Sequence, residues 1–280
     1  MGSGAQVTIF QTMKNLHKIL FIAVLAIAQA CSDDNDDMNP SEGMIEVASI
    51  AVPDSDFKVV MFIGENETLE VGYNEFSLGL YTNDGEWLSH SHLSITPMMD
   101  MFEMDMMHSA PFESDEHDAS KEMLQTFATV FLMPSAMGDW TLNVSINEMD
   151  SEFQGEVSLP VTVTAPELTR LKSATSNEVG YFITMIDNPD FAVDSNEIEF
   201  TIHKRETMMS WPAVEDLTIE IKPWMDAMDH GSPHNVNPVH AENGHYKGIV
   251  NFTMTGEWTI YITVMDGDEL ILDDSFTIEL

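Results

Sequence analysis

Basic residues are scarce. The chain of 280 residues has 10 lysines and arginines against 48 aspartates and glutamates, for a formal net charge of −38. A surface this acidic repels phosphate backbones and anionic lipid, which argues against nucleic acid and charged membrane surfaces as partners. It attracts cations without choosing among them and equally serves solubility or a salty medium, so acidity alone is a weak argument for metal. Cysteine is nearly absent, Cys31 being the only one. No disulfide can form within the chain, and a blue-copper centre, which needs a thiolate among its histidines, is excluded. Long apolar runs are missing except at residues 19–28, too few to span a bilayer. Helical periodicity is missing as well, and only residues 119–126 read as a short helical turn. There is no His-Glu-x-x-His zinc motif, phosphate-cradling glycine loop or nucleophile elbow, and no Ser/His/Asp set stands out. The chain therefore reads as a non-enzyme; a metal-dependent enzyme would need an open coordination position in a polar cleft.

What is present begins with a leader. Lys14, His17 and Lys18 precede the apolar run, and Ala28-Gln29-Ala30-Cys31 closes it. This is the layout of a secretory signal starting at Met13, with residues 1–12 as an upstream extension and residues 1–30 removed together. The lone Cys31 at the cleavage bond resembles the lipid-acceptor cysteine of bacterial lipoproteins, although Ala-Gln-Ala also suits an ordinary signal peptidase. Ser32-Asp-Asp-Asn-Asp-Asp37 resembles the acidic signal that sends Bacteroidetes lipoproteins to the cell surface; it also reads as a plain acidic linker. The expectation is an outer-membrane lipoprotein, at the cell surface or on the periplasmic face, with residues 31–44 as tether. In such a compartment thiolates oxidise, and thioethers and imidazoles are the durable soft ligands.

From residue 45 onward, short runs of alternating apolar residues are separated by Gly, Asn and Asp. Residues 58–63, 76–81, 140–146, 181–186, 198–202, 217–221 and 258–264 read as strands. The two halves repeat one another: Asn74-Glu75 parallels Asn196-Glu197, and Met137-Gly-Asp-Trp140 parallels Met254-Thr-Gly-Glu-Trp258. This predicts an all-β protein of two tandem immunoglobulin-like β-sandwiches, residues 45–165 and 166–280, joined near Thr164-Ala165-Pro166.

Each half carries an unusual stretch. Residues 97–111 read PMMDMFEMDMMHSAP, with six methionines at 98, 99, 101, 104, 106 and 107 and then His108; residues 223–234 read PWMDAMDHGSPH. Thioether and imidazole together suit copper. The strand-ending prolines and the Asp and Gly content place both stretches in loops at one end of each sandwich, with Met137 and Met254 closing over them. The candidate ligands are Met99, Met101, Met104, Met106, Met107, His108 and Met137 in the first half, and Met225, Met228, His230, His234 and Met254 in the second. Met137 and Met254 are equally suited to packing under a neighbouring loop. The first set, rich in methionine, favours copper(I); the second, richer in histidine, tolerates copper(II). Trp224 is placed to contact a cation, one of His234, His240 and His245 to add a ligand, and His90 and His92 to share a strand face. Met61, Met185, Met265, Trp140 and Trp258 read as core; His117 and His203 read as surface.

The pattern Pro-x-Met-Asp-x-Met-x-His-Gly-x-Pro, followed by Phe-x-Met-x-Gly-x-Trp, resembles the YtkA-like domain. The second half carries it as Met225, Met228, His230, Gly231, Pro233, Gly244, Tyr246, Gly248, Phe252, Met254, Gly256 and Trp258. The first half departs from it: methionines are inserted, Ser109 replaces the glycine, and Met137 sits one residue closer to Gly138. The resemblance implies an immunoglobulin-like sandwich of bacterial envelopes, related in kind to FixH-type proteins associated with copper handling. The expected function is capture, buffering or delivery of copper, with an outer-membrane transporter or a cuproenzyme assembly factor as a possible recipient. The alternative is a surface interaction module whose methionine loops grip a protein partner.

Overall fold

The computed structural model describes residues 40–102, 104–115 and 122–280. The leader, Cys31, the acidic run and His117 lie outside them. Among the described residues there is no α-helix, and all 18 strands pair antiparallel in four sheets. The first sandwich comprises β1 (Met44–Ala51), β2 (Phe57–Gly64), β3 (Gly72–Thr82), β4 (Ser91–Met101), β5 (Met106–Ser109), β6 (Phe112–Ser114), β7 (Leu124–Phe131), β8 (Gly138–Glu148) and β9 (Phe153–Val161). The second comprises β10 (Leu171–Ser176), β11 (Val179–Met185), β12 (Asp194–Arg205), β13 (Thr218–Met225), β14 (His230–Gly231), β15 (Val236–His240), β16 (His245–Phe252), β17 (Glu257–Asp266) and β18 (Glu269–Glu279).

The strand orders match one for one. Sheet β1-β2-β3-β7-β6 corresponds to β10-β11-β12-β16-β15, and sheet β5-β4-β8-β9 to β14-β13-β17-β18. The fold is a pair of tandem immunoglobulin-like β-sandwiches. Period-two patterning builds each core. In β8, Trp140, Leu142, Val144 and Ile146 point inward while the residues between them face out. Trp258, Ile260, Ile262 and Val264 do the same in β17, and all four are fully buried. Inward side chains from two facing sheets make one apolar layer per sandwich, without need of a cross-link.

All seven strands read from the sequence are present. The helical turn is not: residues 119–121 lie outside the described region, and Leu124–Phe131 is strand β7, buried throughout from Phe127 to Phe131, which completes the first core through Phe127 and Phe131.

Candidate metal centre

The methionine stretches are hairpins rather than loops. Residues 98–101 complete β4, and β5 returns beside it, pairing Met101 with Met106, Asp100 with Met107, Met99 with His108 and Met98 with Ser109. Asp100 faces outward in β4, and Asp105 lies at the turn with a positive φ of 47°. Directly opposed residues project to the same side of a sheet, as do residues two apart. Met99, Met101, Met106 and His108 therefore share one face, and Met107 lies on the other. Met98, Met99, Met101 and His108 are buried, whereas Met104, Met106 and Met107 are exposed towards the tip. Met137 is exposed beside that tip, its carbonyl accepting from the Phe102 amide at 3.4 Å.

The second sandwich repeats the arrangement in a shorter form. Met225 pairs with His230 as Met99 pairs with His108. The turn between them is one 3-10 turn, Asp226–Met228, closed by Asp229 in the left-handed region. Each histidine meets a buried tryptophan edge-on, His108 on Trp140 at 5.5 Å and His230 on Trp258 at 5.7 Å between ring centroids. Both indoles are anchored by a backbone carbonyl, Trp140 by that of Met133 at 2.8 Å and Trp258 by that of Met254 at 3.0 Å. Met133, and not Met137, is thus the positional counterpart of Met254. A glycine makes room for each methionine. A Cβ on Gly138 would clash with the Asp100 carbonyl and come within 2.8 Å of the Met99 methyl; one on Gly256 would lie 3.4 Å from the Met225 methyl.

His108 is the most telling residue. It is 2% exposed, and its Nδ1 lies 2.7 Å from the Ser109 carbonyl. A carbonyl can only accept, so Nδ1 carries the proton and Nε2 presents its lone pair. Nε2 is buried and, among the described residues, has no hydrogen-bond partner. Backbone orientation of one imidazole nitrogen with the other left bare is the form taken by metal-ligating histidines. His230 is half-buried, with Nε2 3.4 Å from the Thr253 hydroxyl. Met228 and Met254 are exposed near it, and His234 stands exposed in a turn at φ 68°. Asp226 accepts from the Thr259 hydroxyl at 3.0 Å. Lys222 lies over the Trp224 ring at 4.7 Å, so that indole already has a cation.

Other histidines fall away from the two hairpins. His90 sits in a turn at φ 59° and contacts Asp150 at 3.1 Å, so it shares no strand face with His92. His240 accepts from the Gly244 amide at 3.4 Å. His203, expected at the surface, is 4% exposed; burial drives its pKa down to about 4. His245 lies between the sandwiches, Nε2 3.0 Å from Glu113 and Nδ1 2.6 Å from Glu199. Burial opposes its charge, but the hydrogen bonds to the two carboxylates outweigh it and lift the pKa to about 9. The sequence held no local sign of this cluster, because its members lie 46 and 132 positions apart. Among the described residues, no three His, Cys, Asp or Glu side chains converge as a metal set. A metal here depends on thioethers.

Comparison with known proteins bears on the second half. Residues 174–263 match the YtkA-like family. The match spans about a third of the chain, from β10 into β17, and contains Met225, His230 and Trp258. No curated protein matches the chain. Among solved structures, a conserved domain protein from Bacillus anthracis is similar at 11% identity, with 87% of this chain and 93% of that chain covered and a TM-score of 0.33. Domains 5–6 of the S-layer protein SbsC align at 13% identity over 84% of this chain and 99% of that chain, with a TM-score of 0.29.

Proposed function

We propose that the protein is a non-catalytic lipoprotein of the bacterial envelope, anchored through Cys31, that binds copper on its two Met/His hairpins for capture, buffering or delivery. The carrying observation is His108: a buried imidazole with a bare Nε2, on the same strand face as the thioethers of Met99, Met101 and Met106. A set of three thioethers and one imidazole selects a soft monovalent ion, and copper(I) is the biological one. The second sandwich supports the reading with Met225 opposite His230 and with Met228 and Met254 exposed nearby. That site is more open and tolerates copper(II) as well. The first sandwich, with the same strand order, is on this reading a second, elaborated copy of the YtkA-like unit.

The test is a chelator-competition titration of the mature chain with copper(I). Two equivalents are expected, and the combined substitution of Met225, Met228 and His230 by alanine should remove one. Binding no tighter than that of a variant with all candidate methionines changed to leucine sinks the proposal. A second reading has its own observation: Phe102, Met104, Met106, Met107 and Met137 form an exposed apolar group at one end of the first sandwich. Such a surface suits a protein partner, which on the copper reading is the transporter or assembly factor that receives the ion.

A further inference from the structure

The buried His108 is covered from outside its own sandwich. The Ser109 amide next to it donates to the Met208 carbonyl of the second sandwich at 2.8 Å. Trp211, three residues further on, packs against the His108 ring at 6.3 Å and against Phe182 at 5.1 Å. These residues belong to the turn after β12, where Thr207 bridges to Ser210 and His203 to Ala213. A turn of the second sandwich thus sits over the first metal centre. His230, in contrast, is only half-buried.

The seam beneath that turn carries several polar groups. Six buried side-chain polar atoms lack partners among the described residues: Nε2 of His108, Nδ1 of His203, Nε1 of Trp211 and the hydroxyls of Thr129, Thr184 and Thr201. All but Thr129 lie along the junction. Thr184 pairs with Thr201 across β11 and β12, and Gly72 of the first sandwich approaches the Thr184 methyl. Thr201 is in turn opposite His245, whose ring meets Tyr73 of the first sandwich at 5.7 Å. Buried polar groups without partners weaken a packed interface, and water reaching them restores their hydrogen bonds. The plane that most favours solvation runs between the sandwiches and not through either core. Among the described residues one charged clasp spans it: Glu113 of β6, five residues after His108, reaches His245 of β16, which Glu199 holds from its own sandwich.

We infer that the second sandwich is a lid on the first metal centre, closed by the Glu113–His245–Glu199 clasp and opening along the polar seam to let an ion reach or leave His108. The inference rests on the metal reading of His108 and adds its regulation. The first site then holds its ion for long times, while the half-buried His230 site exchanges quickly. Capture and retention are divided between two copies of one hairpin.

The test uses the mature chain with the second site removed by the Met225, Met228 and His230 substitutions, loaded with silver(I) as the probe. Two readings are taken: deuterium uptake by peptides, and release of silver to excess chelator. Peptides covering residues 106–113 and 206–213 should exchange together and faster than residues 140–146 and 258–264. Glu113→Gln, or His245→Gln should the first variant fold poorly, should speed both exchange and silver release by about tenfold, the worth of one charge-assisted hydrogen bond. Protection of the two seam peptides equal to that of the core strands overturns the lid. Silver release unchanged while seam exchange rises overturns it as well. Coupled seam exchange with no silver uptake supports the opening and overturns instead the metal reading of His108.

Discussion

A histidine with one nitrogen bound to its own backbone and the other bare is costly to bury, because the bare lone pair has given up water for nothing; such a group destabilises by about 1–3 kcal/mol. His108 is in that position. Replacing it with leucine, which fills the site without a polar atom, should leave the thermal midpoint unchanged or raise it by a few degrees, while one copper(I) equivalent is lost in titration. A residue kept only for packing would behave oppositely, with the midpoint falling and binding intact. His203 makes a second prediction at this scale. Its folded pKa is pulled down from 6.5 to about 4 by burial, so the folded state resists protonation that the unfolded chain accepts. Its cost is absent above pH 6.5 and grows as pH falls from there towards 4. Thermal midpoints measured across this range should decline less steeply in His203→Leu than in the parent. Nothing in the sequence around His203 shows this, because a histidine alternating with the core residue Ile202 looks solvent-facing until the first sandwich is laid against it.

The hairpin is the element that converts composition into geometry. Its strands, and the cores they join, were legible: alternation at period two marks Trp140 to Ile146 and Trp258 to Val264 without ambiguity. The Met stretches read as loops in the sequence because Asp100 and Asp105 interrupt the apolar text, whereas in the fold Asp100 occupies the outward position of the strand and Asp105 the turn. Once register is known, the single-face set of Met99, Met101, Met106 and His108 follows, and Met107, a candidate on sequence grounds, falls on the opposite face. Gly138 holds this geometry. Its extended backbone suits any residue, but an added methyl group meets the Asp100 carbonyl and the Met99 methyl. Gly138→Ala should destabilise by about 1–3 kcal/mol through overpacking, and by displacing Met99 it should weaken copper at the first site while sparing the second. Chemical denaturation and site-resolved titration read the two effects separately.

At the scale of the molecule, two sandwiches of matching strand order meet at a seam, and on the proposed reading that seam gives them different tasks. Contacts such as Glu113 to His245 span 132 positions and carry no local signature, so the junction was the least legible part of the fold. The clasp has a pH signature of its own. His245 faces Glu113 and Glu199, with His203, Tyr73 and Lys247 in its surroundings. Its folded pKa is raised from 6.5 to about 9, so its stabilisation is complete below about pH 6.5 and is lost as pH rises through about 9. Alkaline titration should therefore loosen the junction before either core melts, seen as acrylamide access to Trp211 rising while Trp140 and Trp258 stay protected. Glu113→Gln should shift that transition downwards.

The central claim concerns the donor set, and X-ray absorption at the copper edge of the copper(I)-loaded mature chain addresses it most directly. The account predicts a first shell dominated by thioether sulfur with imidazole nitrogen, and loss of the nitrogen contribution when His108 and His230 are both replaced. A shell of oxygen alone, as an acidic surface of charge −38 would supply, contradicts it.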